Sequence, residues 1–198
     1  NCLVYDNSAT TNGGGINANS RGPISLINCT IVDNFADRGG GFYAYDYEKR
    51  SIDIRNSIIQ HNSTRRFYDV LKGALRGTSQ SSPESLANLY TKFADVTYSN
   101  IGGGRLGQGV FDRDPLFLDA EGGDYRLHGA SSCIDAGDPA DDYSREPGGG
   151  GAAINIGAYG NTSLAALYAD DTLIQSVVPA QGHGGPEYET RVQCINFR

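Results

Sequence analysis

Asn1-Cys2-Leu3-Val4-Tyr5-Asp6-Asn7 returns as Asn28-Cys29-Thr30-Ile31-Val32-Asp33-Asn34, and again in weakened form as Asn56-Ser57-Ile58-Ile59-Gln60-His61-Asn62. The copies lie 27 and 28 residues apart. A second marker keeps step, Gly13-Gly14-Gly15-Ile16 recurring as Gly39-Gly40-Gly41-Phe42. A fixed period of this length marks units that cannot bury an apolar face singly and do so by stacking. One period is therefore expected to be one turn of a solenoid.

Each repeat divides at Gly, Asn and Pro into three short segments that read as strands: residues 14–18, 24–28 and 30–32, then 40–45, 52–56 and 57–60. Three strands per turn predict an all-β fold, a triangular parallel β-helix. Alternation assigns the faces, with Ile24, Leu26, Cys29, Ile31, Ile52, Ile54 and Ile58 inward and Ser25, Asp53 and Arg55 outward. Asn28 and Asn56, with Asn1 beneath them, are expected at a corner. They are expected to form a ladder of side-chain amides there, at a bend that suits the tolerance of Asn for left-handed backbone; the functional alternative is a polar binding strip. The Gly triplets lack the strand, loop and helix context of a phosphate loop and read as turns.

The composition agrees, with 27 Gly among 198 residues and repeats rich in Ile, Val, Thr, Tyr and Asn. A formal charge of −7 and only three Lys argue against a nucleic-acid partner, which needs a concentrated basic face. No stretch approaches the roughly 20 apolar residues of a membrane span. The chain has no Met and opens inside a repeat, as expected of a piece of a longer or processed protein. Its first turn should then offer an open row of backbone donors and acceptors, an edge that recruits another strand.

Residues 1–62 hold the repeats, and residues 63–95 break the rhythm as a loop with a short helix, Leu86, Leu89 and Tyr90 recurring at helical spacing. The solenoid pattern resumes at Val96 and leads into a series of turns. Gly123-Asp124-Tyr125-Arg126-Leu127, Ser132-Cys133-Ile134-Asp135-Ala136-Gly137-Asp138-Pro139 and Ile154-Asn155-Ile156-Gly157-Ala158-Tyr159 follow in that order. With residues 96–104 and 114–119, this order resembles the choice-of-anchor Q domain that closes secreted right-handed parallel β-helix proteins. The resemblance covers residues 96–160 and implies a last coil, an irregular C-terminal cap and a secreted or cell-surface location. It departs from the family at Asn155 and Gly160, where acidic residues are usual. The upstream repeats resemble those of polymorphic outer-membrane proteins and of pectate-lyase-like solenoids. Residues 161–198 form a linker and an extended β tail that resembles the opening strands of a TIG domain. Two such strands need a surface to dock on, in this body, another domain or another molecule.

Four cysteines leave three pairings open. Cys2 and Cys29 hold the same place in successive repeats, so they either form a disulfide or stack as buried thiols; if they pair, Cys133 and Cys194 are left for each other. No catalytic residue is assigned. Asp112, Asp114, Asp119, Asp135, Asp138, Asp141 and Asp142 stand where Asp before Pro or Gly is ordinary turn chemistry, and the first five are candidate ligands of a structural calcium ion. His61, His128 and His183 fall in separate segments without a nucleophile motif. Tyr43, Tyr45 and Tyr47, with Phe67, Tyr68 and Tyr90, are candidates for an aromatic surface facing a polysaccharide. Asn28, Asn62 and Asn161 open glycosylation sequons.

The function expected is non-catalytic: an extracellular protein of adhesion or structural assembly, without a cofactor, self-associating through its N-terminal edge and C-terminal tail, in one form as a head-to-tail filament. The alternatives are a fragment of a polysaccharide lyase or hydrolase, and a carbohydrate-binding module.

Overall fold

The computed structural model of the chain describes residues 1–19, 22–44, 51–65, 83–91, 93–148, 151–168 and 191–194. The first repeat supplies β1 (Cys2–Tyr5), β2 (Ile16–Ala18) and β3 (Ile24–Ile27). The second supplies β4 (Cys29–Val32), β5 (Phe35–Ala36), β6 (Phe42–Ala44) and β7 (Ile52–Arg55). The third opens with β8 (Ile58–Gln60) and β9 (Ser63–Thr64), and continues as helix α1 (Pro83–Asn88), β10 (Leu89–Tyr90), β11 (Ala94–Thr97) and β12 (Asn100–Ile101). After these come β13 (Phe117–Asp119), β14 (Asp124–Leu127) and β15 (Arg191–Cys194).

The sequence period is the pairing register. Strands β1, β4, β8 and β12 line up as parallel neighbours in one sheet, β2, β6 and β10 in a second, and β3, β7 and β11 in a third. Like stands beside like: Val4 pairs with Ile31 and Ile31 with Ile59, Leu26 with Ile54 and Ile54 with Val96, Ile16 with Phe42 and Phe42 with Leu89. Among the described residues the fold is all-β, built on parallel sheets with an added antiparallel pair, β13 and β14, and almost no helix.

Residues of all three sheets meet in one apolar core, including Val4, Ile31, Phe42, Ile52, Ile54, Ile59, Leu89, Val96 and Ile101. A second core lies on the other face of the β1-β4-β8 sheet. There Leu3, Val32 and Ile58 pack against Tyr125, Leu127, Cys133, Ile134 and Ile156 of the C-terminal segment. A sheet covered on both faces buries consecutive positions, as in Cys29-Thr30-Ile31-Val32, every one of which is buried, with the Thr30 hydroxyl hydrogen-bonded. Two expectations are corrected here. Ile58 faces the second core, because Ile59 pairs with Ile31 in the first and successive side chains point to opposite faces. The helical spacing of Leu89 and Tyr90 does not extend α1 over them. Leu89 is fully buried beside Phe42 as a strand residue, so the stack resumes ahead of Val96.

The side-chain ladder runs through Asn7, Asn34, Asn62 and Asn88 rather than Asn1, Asn28 and Asn56. Asn34 Oδ1 accepts both the backbone N–H of Asn7 (3.0 Å) and its Nδ2 (2.9 Å). Asn62 Oδ1 does the same for Asn34, both at 2.9 Å, and Asn88 Oδ1 for Asn62, at 3.1 and 2.8 Å. Each amide thus satisfies a backbone donor where the chain leaves one strand for the next. Asn28 and Asn56 take left-handed backbone, φ 52° and 50°, and the ladder expected of them passes to Asn34 and Asn62. Gly40 belongs to the same tight corner. A Cβ there would lie 2.1 Å from the carbonyl oxygen of Ser63 on the neighbouring repeat.

A quieter ladder occupies the second position of the motif. Ser57 Oγ accepts from the N–H of Cys29 and donates to the carbonyl two residues back, that of Arg55 (2.9 Å). Ser99 Oγ accepts from Ser57 N–H and donates to Thr97 O at 2.8 Å. The Cys29 thiol repeats the pattern, donating to Ile27 O at 3.4 Å and hydrogen-bonding to Cys2 above it. This is why Ser stands where the third repeat departs from Asn-Cys.

The C-terminal segment is stitched to the sheet it covers. Asn56 Nδ2 donates to Asp141 Oδ2 (2.7 Å), Asn56 Oδ1 accepts from Asp138 N–H (2.8 Å), and Arg55 Nε lies 3.1 Å from Asp141. The N–H of Gly157 donates to Asn56 O and that of Ala158 to Thr30 Oγ1, both at 2.9 Å. Asn1 Nδ2 donates to the carbonyls of Ala158 and Gly160.

Candidate functional site at the edge strand

Strand β1 is the first rung of the five-stranded sheet, with β4 on one side. Its other side would be a row of unpaired backbone groups, and β15 lies along it antiparallel. The register is complete over the four residues: Cys2 opposite Cys194, Leu3 opposite Gln193, Val4 opposite Val192 and Tyr5 opposite Arg191. β15 is the one strand in this sheet that runs against the others, and it is joined to the body by the 22 residues between Tyr168 and Arg191. A chain of that length spans up to about 75 Å when extended, many times the spacing of about 4.8 Å between neighbouring strands. The adjoining sheets begin with β2 and β3, each of which pairs with one strand among the described residues, β6 and β7 respectively.

The cysteines sort with this edge. Cys194, Cys2 and Cys29 stand at one register position across β15, β1 and β4. Burial raises the pKa of the Cys29 thiol above its usual value. Cys133 is fully buried beside Asn100, whose Nδ2 donates to its Sγ at 3.2 Å, and burial pushes it up to about 11. Asn100 opens β12, at the opposite end of the sheet from β15, four strand spacings or about 19 Å away. That span is far outside disulfide reach, so the arrangement disfavours the Cys133 to Cys194 pairing. No disulfide joins Cys2, Cys29 and Cys133.

The acidic turns hold their own backbones. Asp112 accepts from Gln60 Nε2 and Gly103 N–H, Asp114 from Leu116 N–H, Asp119 from Gly122 N–H, Asp138 from Ala140 N–H, and both oxygens of Asp135 from Gly151 N–H. Among the described residues no three His, Cys, Asp or Glu converge as a metal site. His61 sits in an exposed turn with its ring edge-on to Phe117, and His128 Nδ1 accepts from Ala130 N–H. His183, Tyr45, Tyr47, Phe67 and Tyr68 lie outside the described residues.

Tyr43 is 4% exposed and stacked on Tyr90, ring centroids 5.0 Å apart, so it packs the second sheet rather than presenting a face to a ligand. Asn28 and Asn62 are buried, and the Nδ2 of Asn62 donates to Ile31 O, Gln60 O and Asn88 Oδ1. Asn161 is the half-buried sequon position, at a left-handed turn residue.

Two cap contacts carry no sequence signal. Tyr125, 3% exposed, donates its hydroxyl to Asp33 Oδ2 at 3.0 Å; burial first, then the Asp33 charge, raises its pKa well above that of an ordinary phenol. Glu146 Oε1 accepts the N–H groups of Asn155 and Asn161, and burial raises its pKa. Asn155 itself is buried, accepting from Asp135 N–H and donating to Ala166 O. An amide can give and take at once, which a carboxylate in its place could not.

No helix among the described residues is long and apolar enough to cross a membrane. No protein-family model, curated protein or solved structure matches the chain.

Proposed function

We propose that the chain is a non-catalytic, extracellular or cell-surface right-handed parallel β-helix of adhesion or structural assembly. Residues 96–160 serve as a cap of the choice-of-anchor Q kind, and the edge of β1 is the joint between copies. The observation that carries this reading is the complete antiparallel pairing of β15 with β1 at the end of a 22-residue connection. A strand that caps its own edge can cap the same edge of the next copy through identical contacts, and because the contact is head to tail it continues into a filament.

Mass action sets the conditions. Because β15 is carried on the same chain as β1, the closed form has an effective concentration on the order of millimolar, so the dilute chain is expected as a self-capped monomer. Assembly is expected in concentrated solution or where copies are held side by side. Sedimentation and electron microscopy from micromolar to millimolar protein test this, with Val192→Pro and Gln193→Pro as variants that break β15 as a ladder strand. Growth of head-to-tail oligomers in the native chain and its loss in the variants is the expected result. A native chain that stays monomeric at millimolar concentration, with its β1 amides protected from exchange, sinks the filament.

A further inference from the structure

The position shared by Cys194, Cys2 and Cys29 continues as Ser57 and Ser99, the residues just before β8 and β12, so thiols and hydroxyls form one row across the sheet. Within this row the lower members are committed. Each donates to the carbonyl two residues back and hydrogen-bonds to the residue above: Ser99 to Thr97 O, Ser57 to Arg55 O, Cys29 to Ile27 O. Cys29 is also part of the first core, 5% exposed. Bonding its sulfur to Cys2 would remove the proton it donates and break the ladder at its second rung. Cys2 is half-buried at the rim, directly opposite Cys194 on an antiparallel strand, and opposed residues have Cα atoms about 4.5–5.5 Å apart, inside the range of about 4.4–6.8 Å that a disulfide spans.

We infer that Cys2 and Cys194 form a thiol–disulfide site that latches β15 to β1, while Cys29 remains a thiol as a rung of the ladder. The inference rests on the pairing of β15 with the β1 edge proposed above, and assigns that joint a covalent lock. The co-reactant is a small disulfide oxidant. The Cys2 thiolate attacks one sulfur of the oxidant, forming a mixed disulfide and expelling a thiolate that takes up the proton Cys2 released. The Cys194 thiolate then attacks the Cys2 sulfur, closing the protein disulfide and expelling the second thiolate, which takes up the proton from Cys194. Two protein thiols are oxidised and one small disulfide is reduced to two thiols. The same chemistry closes the latch within one chain or between a donor and an acceptor copy.

The test is equilibration of the full chain with oxidised glutathione, alkylation, and non-reducing peptide mapping by mass spectrometry. The expected product is the peptide pair Cys2–Cys194, lost on reduction, with Cys29 unlinked; Cys194→Ser abolishes the linkage and Cys29→Ser leaves it in place. A Cys2–Cys29 linkage, any other pairing, or full alkylation of both Cys2 and Cys194 after oxidation overturns the inference. The size of the assembly, measured in parallel under reducing conditions, scores the strand-exchange reading separately. Linkage confined to monomers supports the latch while exchange fails, whereas oligomers without linkage support exchange while the latch fails.

Discussion

Replacing Asn34 with Ala isolates what the asparagine ladder contributes. Asn34 is 1% exposed, and its amide makes five hydrogen bonds: two accepted from Asn7, and three donated to Asn62 Oδ1, Val4 O and Val32 O at 2.9, 3.1 and 2.8 Å. The backbone N–H of Asn7 loses its acceptor outright, costing about 1–3 kcal/mol for a buried orphan. The Nδ2 of Asn7 keeps Tyr5 O, and Asn62 Oδ1 keeps the Asn34 N–H, so those losses are partial. Taking roughly 0.5–1 kcal/mol for each of the remaining bonds gives a total of about 4 kcal/mol. Against a typical stability of about 5–15 kcal/mol this is a large fraction, and at a urea slope near 2 kcal/mol per molar it moves the midpoint by about 2 M. Asn17→Ala, on the exposed face of β2, is the matched control and is expected within about 0.5 kcal/mol of the parent. The measurement is equilibrium urea unfolding of both variants, followed by far-UV circular dichroism and tyrosine fluorescence. A midpoint for Asn34→Ala within about 0.5 M of the control would refute the ladder as a principal support.

Cys29→Ser keeps a donor and acceptor at the thiol position and is expected to cost under about 1 kcal/mol, whereas Cys29→Ala leaves the Cys2 N–H without its acceptor and costs about 1–3 kcal/mol; thermal unfolding separates them. Gly157→Ala places a methyl 2.8 Å from Thr30 Oγ1 and 2.9 Å from Ile58 Cδ1 at φ 104°, and an overpacking loss of about 1–3 kcal/mol is expected, read as weakened protection of the cap in hydrogen exchange. Tyr125 has a raised folded pKa, so its contribution is intact below the phenol's unfolded value of about 10 and is lost as pH rises from there through the folded value. Stability profiles of the parent and Tyr125→Phe should therefore converge above about pH 10; parallel profiles through that range would contradict the assignment.

The register of the parallel sheets was legible because a repeat specifies its own neighbour: if Ile24 and Ile52 hold equivalent places, stacking pairs them, and it does. Faces were legible where one side is wet, as in Ile52-Asp53-Ile54-Arg55, and misread at Ile58, where both sides are dry and alternation leaves no trace. The asparagine ladder was expected at the wrong member of the motif because backbone conformation decides it. Asn28 and Asn56 are spent on left-handed turns, and Asn34 and Asn62 are free to reach along the stack. Its fourth member, Asn88, is hidden by the excursion, which ends in a helix one residue before the strand resumes. The docking of β15 was not legible, since four residues 22 positions beyond the body carry no periodic partner. That the tail needs a surface followed from its apolar residues; which surface followed only from three dimensions.

The direction of β15 has a mechanical consequence. Because it runs antiparallel to β1, the tether arrives at Arg191, opposite Tyr5, while Cys194 lies at the far end beside Cys2. A load that draws Arg191 away from Tyr5 across the strands opens the joint one pair at a time from that end, rather than shearing all four pairs together. The last stitch to open is the pair of cysteines.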